Sequence, residues 1–262
     1  PLAMRVPRLL AAALWAALAL GPAAGSAAGQ SRGDTAFDLV RLDPSARAAA
    51  LAGAGALPGD DPTSAFYNPA LLSSEMAGAL ALGYTNHLSD VSAGAAVYAR
   101  DLGVWSGTTA AFGVRFLSYG DFDRRADTET DPTESFSAGE AAVTLSAARE
   151  VLPQLRAGAS VHALFASIDD AGAQALTGDL GLTYTVPTQS LTLGASVHHV
   201  GAVLSSFGET GDRLPLDVRL TVAKRLRYLP LTVSVAGVDL HRFEGPAADS
   251  SFVNRALDHV AA

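Results

Sequence analysis

From Ala77 onward the chain consists of successive segments of about 10–14 residues in which apolar side chains alternate with small or polar ones. A period of two is the strand period, with neighbouring side chains on opposite faces, and no stretch here holds a helical period. In residues 191–199, Leu191, Leu193, Ala195 and Val197 fall on one face, and Thr192, Gly194, Ser196 and His198 on the other. Residues 214–222 repeat the pattern, with Leu214, Leu216, Val218, Leu220 and Val222 against Asp217, Arg219 and Thr221. The alternation predicts strands near 77–86, 92–101, 107–118, 136–149, 155–166, 176–186, 191–200, 214–225 and 231–240, with a tenth starting near Phe252. The class is therefore all-β.

The connections refine the class. Short turns are predicted at 102–106, 150–154, 187–190 and 226–230, and longer polar loops at 87–91, 119–135, 167–175, 201–213 and 241–251. Alternate connections of an up-and-down sheet lie at the same end. One tight end and one loop-rich end fit a transmembrane antiparallel β-barrel, whose strands of ~9–11 residues cross the bilayer tilted. Aromatics gather near strand ends (Tyr84, Trp105, Tyr119, Phe136, Phe165, Tyr184, Phe207, Tyr228 and Phe243), as interface girdles do. A secreted β-sandwich shares the period and is the alternative. A barrel solves the backbone problem that lipid poses, because it leaves no unpaired edge. Residues 260–262 look like the start of a strand and no closing strand with a terminal aromatic follows, so the barrel is expected to be truncated at its C-terminus.

The N-terminus predicts export. Arg5 and Arg8 follow Met4, an apolar run covers 9–20, and small residues continue to Gly29. That order is a signal peptide, and the 12-residue run is short of the ~20 that a membrane-spanning helix needs. Ala27 and Gly29 suit the −3 and −1 positions, making Gln30 the mature N-terminus. Pro1 to Ala3 precede the expected start. The predicted organisation is a signal peptide at 1–29, a Gly/Ala-rich segment at 30–76 and strands over 77–262. The chain has no cysteine, which excludes disulfides and thiolate metal sites, and its charge of −8 argues against nucleic acid as a partner.

Residues 45–55, Ser-Ala-Arg-Ala-Ala-Ala-Leu-Ala-Gly-Ala-Gly, and 60–70, Asp-Asp-Pro-Thr-Ser-Ala-Phe-Tyr-Asn-Pro-Ala, resemble the N-terminal segment of the PorV/PorQ family. These barrels belong to the outer-membrane fatty-acid-transporter-like superfamily. Residues 98–103, 116–122, 204–210 and 212–219 extend the resemblance toward the PorQ branch. The resemblance implies a barrel of about 14 strands, of which about 10 fall within this chain, in the outer membrane of a diderm (Gram-negative) bacterium. It further implies an association with type IX protein secretion, with outer-membrane lipids, secreted cargo and other secretion components as partners. It also implies that the Asn-Pro-Ala segment forms an inward hatch before the first strand. The superfamily offers another function, transport of a hydrophobic small molecule such as a fatty acid, with the ligand in the lumen.

The hatch residues have their own physical reading. Gly53 and Gly55 permit close backbone approach, and Pro69 restricts Asn68 to extended conformations. With Phe66 and Tyr67 they form the candidate gate, either a moving lateral opening or a static plug that fills the lumen.

Catalysis is not expected. Ser160 with His162, and Ser196 with His198, place a hydroxyl and an imidazole on one strand face, but no third, orienting residue is evident. The pair occurs twice, within Gly-Ala-Ser-Val-His at 158–162 and 194–198, as a structural repeat would. These are read as lumen-facing polar residues. Asp121, Asp123, Asp127, Glu129, Asp131 and Glu134 crowd the longest loop without the spacing of a calcium loop. His198 and His199 are expected on opposite faces, which excludes joint ligation. No cofactor or metal site is expected.

Overall fold

The computed structural model describes residues 37–51, 59–87, 90–103, 107–124, 134–207 and 213–242. Nine strands form one antiparallel sheet in sequence order. They are β1 (Leu80–Asn86), β2 (Ser92–Asp101), β3 (Thr108–Arg124), β4 (Glu134–Leu152), β5 (Leu155–Ile168), β6 (Ala171–Val186), β7 (Leu191–Ser205), β8 (Asp217–Arg225) and β9 (Thr232–Gly237). Each predicted strand through the ninth is present, and every pair consecutive in sequence is paired in space. The sheet is up-and-down throughout. A 3-10 turn, Leu240–Arg242, follows. The predicted signal peptide, Gly53, Gly55, Asp127, Glu129, Asp131 and the tenth strand near Phe252 lie outside the described residues.

Several boundaries depart from expectation: β1 starts at Leu80, β4 runs to Leu152, β7 runs on to Ser205 into the predicted loop 201–213, and β9 ends at Gly237, and three further differences have a local cause. The predicted loop 167–175 is a two-residue turn, Asp169-Asp170, with Asp169 at φ 54°. Aspartate tolerates that left-handed conformation, and it lets the chain reverse at once. The predicted loop 119–135 is strand at both its ends, since β3 runs on to Arg124 and β4 starts at Glu134, and Phe122 stacks on Phe136 across the pair at 5.4 Å. Asp121 and Asp123 therefore belong to an exposed strand end. β8 starts at Asp217 and not at 214, because Pro215 has no N–H to give a ladder. Turn length thus separates the two ends less cleanly than the sequence suggests.

Side-chain polarity separates the two faces strongly. One face buries Thr144, Ser146, Ser160, His162, Thr177, Asp179, Thr183, Ser196, His198 and Thr221. The opposite face exposes Leu82, Tyr84, Phe112, Leu145, Val161, Leu180, Leu220 and Val235, with Leu82 at 75 % and Leu180 at 68 %. A soluble sheet packed on a core has the reverse arrangement.

The polar face is covered by the N-terminal segment, which crosses it from one end to the other. At one end Phe37, Leu39 and Val40 pack on Leu117, Ala142, Leu164, Ala166, Ala173 and Ala175. Further along, Phe66, Tyr67 and Leu71 pack with Val97 and with Ala48 of the short helix α1 (Ala46–Ala50). At the other end Leu72 and Met76 meet Ala99, Ala111 and Ala148. The apolar parts of the segment thus match apolar residues of the covered face, most of them alanines.

Arg115 of β3 fastens the first part of the segment. Its guanidinium donates to the carbonyls of Leu39 and Leu42, at 2.5 and 2.6 Å, and lies 5.1 Å from the Phe66 ring centroid. From the covered side of β4, Glu140 accepts from the Leu39 N–H at 2.8 Å. Arg115→Met keeps the stem but removes both charged hydrogen bonds. The expected loss is about 2–4 kcal/mol of docking for residues 37–43, read as faster hydrogen exchange there and unchanged exchange in the sheet.

Candidate functional site

The site is built around Asn68. Two 3-10 turns present it, Pro62–Phe66 and Pro69–Leu71. Asp61 starts the first by accepting from the Thr63 N–H and hydroxyl at 2.9 and 2.6 Å, and Pro62 occupies a position whose N–H would have no partner. Asn68 starts the second, its Oδ1 accepting from the Ala70 N–H at 2.9 Å. Its amide nitrogen donates to Leu182 O at 3.2 Å on β6 and to Ala195 O at 3.3 Å on β7. Both amide hydrogens and the amide oxygen are thus used. Asn68 is 2 % exposed.

Glycines make room for this approach. A Cβ on Gly181 would stand 2.0 Å from Asn68 Oδ1, and one on Gly158 would stand 2.5 Å from both Ala70 N and Pro69 C. On Gly113 it would come within 2.8 Å of the Phe66 ring. Strand glycine is otherwise unfavourable, and close approach of another backbone is one of its few uses.

The strands then supply donors to the segment's carbonyls. Thr183 on β6 donates to Ala70 O at 3.2 Å, Ser196 on β7 to Tyr67 O at 3.4 Å, and Arg156 on β5 to Leu72 O. Of the predicted gate residues, Phe66, Tyr67, Asn68 and Pro69 come together here and are buried.

Beside this seat lies a buried histidine cluster. The two Gly-Ala-Ser-Val-His repeats occupy β5 and β7, which flank β6. His162 Nε2 and His198 Nδ1 approach the same oxygen, Oδ2 of Asp179 on β6, at 2.9 and 2.8 Å. The His198 contact is an aligned hydrogen bond, whereas His162 Nε2 meets the oxygen off the hydrogen-bond direction. Oδ1 of Asp179 accepts from the His199 backbone N–H at 2.8 Å. Ser146 and Ser160 are joined at 2.7 Å, and Thr144 meets His162 Nδ1 at 2.9 Å.

Two expectations are corrected. His198 and His199 lie on the same face, because the β6–β7 register shifts between Gly178 and Leu180 and His199 takes φ 59°. That bulge sets two residues against Asp179, and the His199 ring turns inward to bond Pro215 O at 3.0 Å. The orienting residue missing from the sequence reading also exists. Asp179 bonds His198 Nδ1, and His198 Nε2 is 2.8 Å from Ser196 Oγ. The connectivity is that of a Ser-His-Asp triad. Yet Ser196 Oγ faces Tyr67 O, so the docked N-terminal segment occupies the place where an electrophilic carbonyl would sit. Among the described residues, no three His, Cys, Asp or Glu are arranged to hold a metal ion.

The other side of the docked segment is held by Tyr67, whose hydroxyl donates to Asp43 Oδ1 at 2.7 Å. Burial first, and then the bond to the Asp43 carboxylate, push the phenol well above the usual tyrosine range. The docked form therefore keeps its proton more tightly than the released one. Docking is complete below the ordinary tyrosine pKa of about 10 and weakens as pH rises beyond it. In an absorbance titration, Tyr67→Phe should remove a late-ionising tyrosine and cost about 1 kcal/mol of docking.

Comparison with protein-family models and with curated proteins finds no match.

Proposed function

We propose that the protein is an outer-membrane β-barrel associated with type IX protein secretion, exported to the outer membrane of a diderm (Gram-negative) bacterium. It acts by protein contacts through its loops and its N-terminal hatch, without catalysis. The observation that carries this reading is the inverted polarity of the sheet. A contiguous apolar face suits lipid, and the covered face, with its buried serines, threonines and histidines, suits a lumen. The up-and-down antiparallel order is the one in which such a sheet closes. The Asn-Pro-Ala segment, docked on the covered face, supports the resemblance to PorV/PorQ, which implies an inward hatch before the first strand. Asn68 packs against glycines and spends both amide hydrogens on backbone carbonyls, the contacts of a docked peptide segment, which supports a role through protein contacts.

Deletion of the gene should leave secreted cargo in the periplasm, and the tagged protein should co-purify with cargo or secretion components. Normal secretion in the deletion strain, together with lost uptake of labelled fatty acid, would replace this reading with small-molecule transport.

A further inference from the structure

The Ser196 hydroxyl stands between two groups that compete for its one hydrogen. Tyr67 O, on the hatch, can only accept. His198 Nε2, on the other side, accepts or donates according to its protonation. His198 Nδ1 faces the Asp179 carboxylate, an acceptor, so a singly protonated His198 carries its hydrogen on Nδ1. Nε2 is then a bare lone pair that draws the Ser196 hydrogen away from Tyr67. With a second proton, Nε2–H donates to Ser196 Oγ, and the hydroxyl hydrogen turns to Tyr67 O. Every contact of the chain Asp179–His198–Ser196–Tyr67 is satisfied only in the imidazolium form.

The surrounding charges permit that form. Asp179 is 2 % exposed, and its carboxylate is shared by His162 from β5 and His198 from β7. His199 Nδ1 donates to Pro215 O. From β8, Asp217 pairs with Arg219. Arg115 on β3 is committed to Leu39 O and Leu42 O. On the hatch side, Tyr67 is bonded to Asp43. An imidazolium at His198 neutralises the buried Asp179 charge.

We propose that Asp179, His198 and Ser196 form a proton-operated latch on the hatch. Proton binding at His198 closes the hydrogen-bond chain onto Tyr67 and holds Asn68 in its seat, and proton loss frees that contact. This rests on the reading of the 62–72 segment as a displaceable hatch.

Hydrogen exchange of the full chain in lipid nanodiscs between pH 5 and 8, corrected for intrinsic exchange, tests it. Protection of residues 61–76 relative to β3 and β4 should fall on the order of tenfold as pH rises, the worth of one hydrogen bond. His198→Gln and Ser196→Ala should each abolish the step, while His87→Gln, on the exposed β1–β2 connection, keeps it. Protection without a pH step, or a step that survives in either His198→Gln or Ser196→Ala, overturns the latch and leaves the hatch standing. No protection of 61–76 at any pH overturns the hatch reading and the latch with it.

Discussion

Gly181→Ala is expected to expel the Asn68 turn from its seat while leaving the sheet intact. The added methyl would lie 2.0 Å from Asn68 Oδ1 and 3.0 Å from Pro69 Cδ. Asn68 cannot swing aside without giving up Leu182 O, Ala195 O and its own cap on Ala70. Gly158→Ala meets only backbone, Ala70 N and the Pro69 carbonyl group, and should act alike. Overpacking of this kind costs about 3 kcal/mol, a shift of more than about a hundredfold in the docking equilibrium. Gly194→Ala is the internal comparison. Its methyl would stand 3.4 Å from Asn68 Nδ2, an ordinary contact, so docking should change little. Limited proteolysis within 61–76 separates the three variants. Equal cleavage of all three would mean that the glycines do not form the seat.

Asn68→Asp should be as damaging for an electrostatic reason. The side chain keeps its shape but loses both hydrogens, and a carboxylate then faces the carbonyl oxygens of Leu182 and Ala195. Burying that charge without a donor costs ~4 kcal/mol, where Asn68→Ala, which only removes the bonds, costs roughly half as much. The two variants also differ with pH. Docking of Asn68→Asp should recover in part as pH falls through the carboxylate range, because the protonated acid supplies one donor, and Asn68→Ala should show no such recovery. The same proteolysis, run as a pH series, reads both.

The strands were legible because apolar contrast alternates along them. Where that contrast fades, the reading fails. Residues 171–175, Ala-Gly-Ala-Gln-Ala, alternate in burial but hardly in hydrophobicity, so the first part of β6 passed for a loop. The tips of β3 and β4 are polar on both faces apart from Phe122 and Phe136, and they passed for a loop too. The support for a membrane sheet consequently moves from turn lengths to the polarity of its faces.

Asn68 was legible through its proline and the segment it belongs to. Asp179 was not, because it has no fixed sequence spacing from Ser196 or His198 and reaches them only through cross-strand register and a bulge. The repeated Gly-Ala-Ser-Val-His held more than a hairpin echo. In both copies the glycine faces the docked Asn68–Ala70 turn and the histidine meets Asp179 Oδ2. A glycine recurring on the polar face of successive strands was the available signal for a docked backbone.

The central claim is that the apolar face of this sheet meets lipid. The chain has no cysteine, so single cysteines can be placed on β4 and β6 without background. Spin labels at Val143, Leu145 and Leu180, in the full chain reconstituted in bilayers, report collision with oxygen, which concentrates in lipid, against a water-soluble nickel chelate. The predicted result is a high oxygen-to-nickel ratio at all three sites, with low accessibility to both reagents at the neighbouring Thr144 and Ser146. A nickel-dominated signal at Val143, Leu145 and Leu180 would place that face in water and contradict the account.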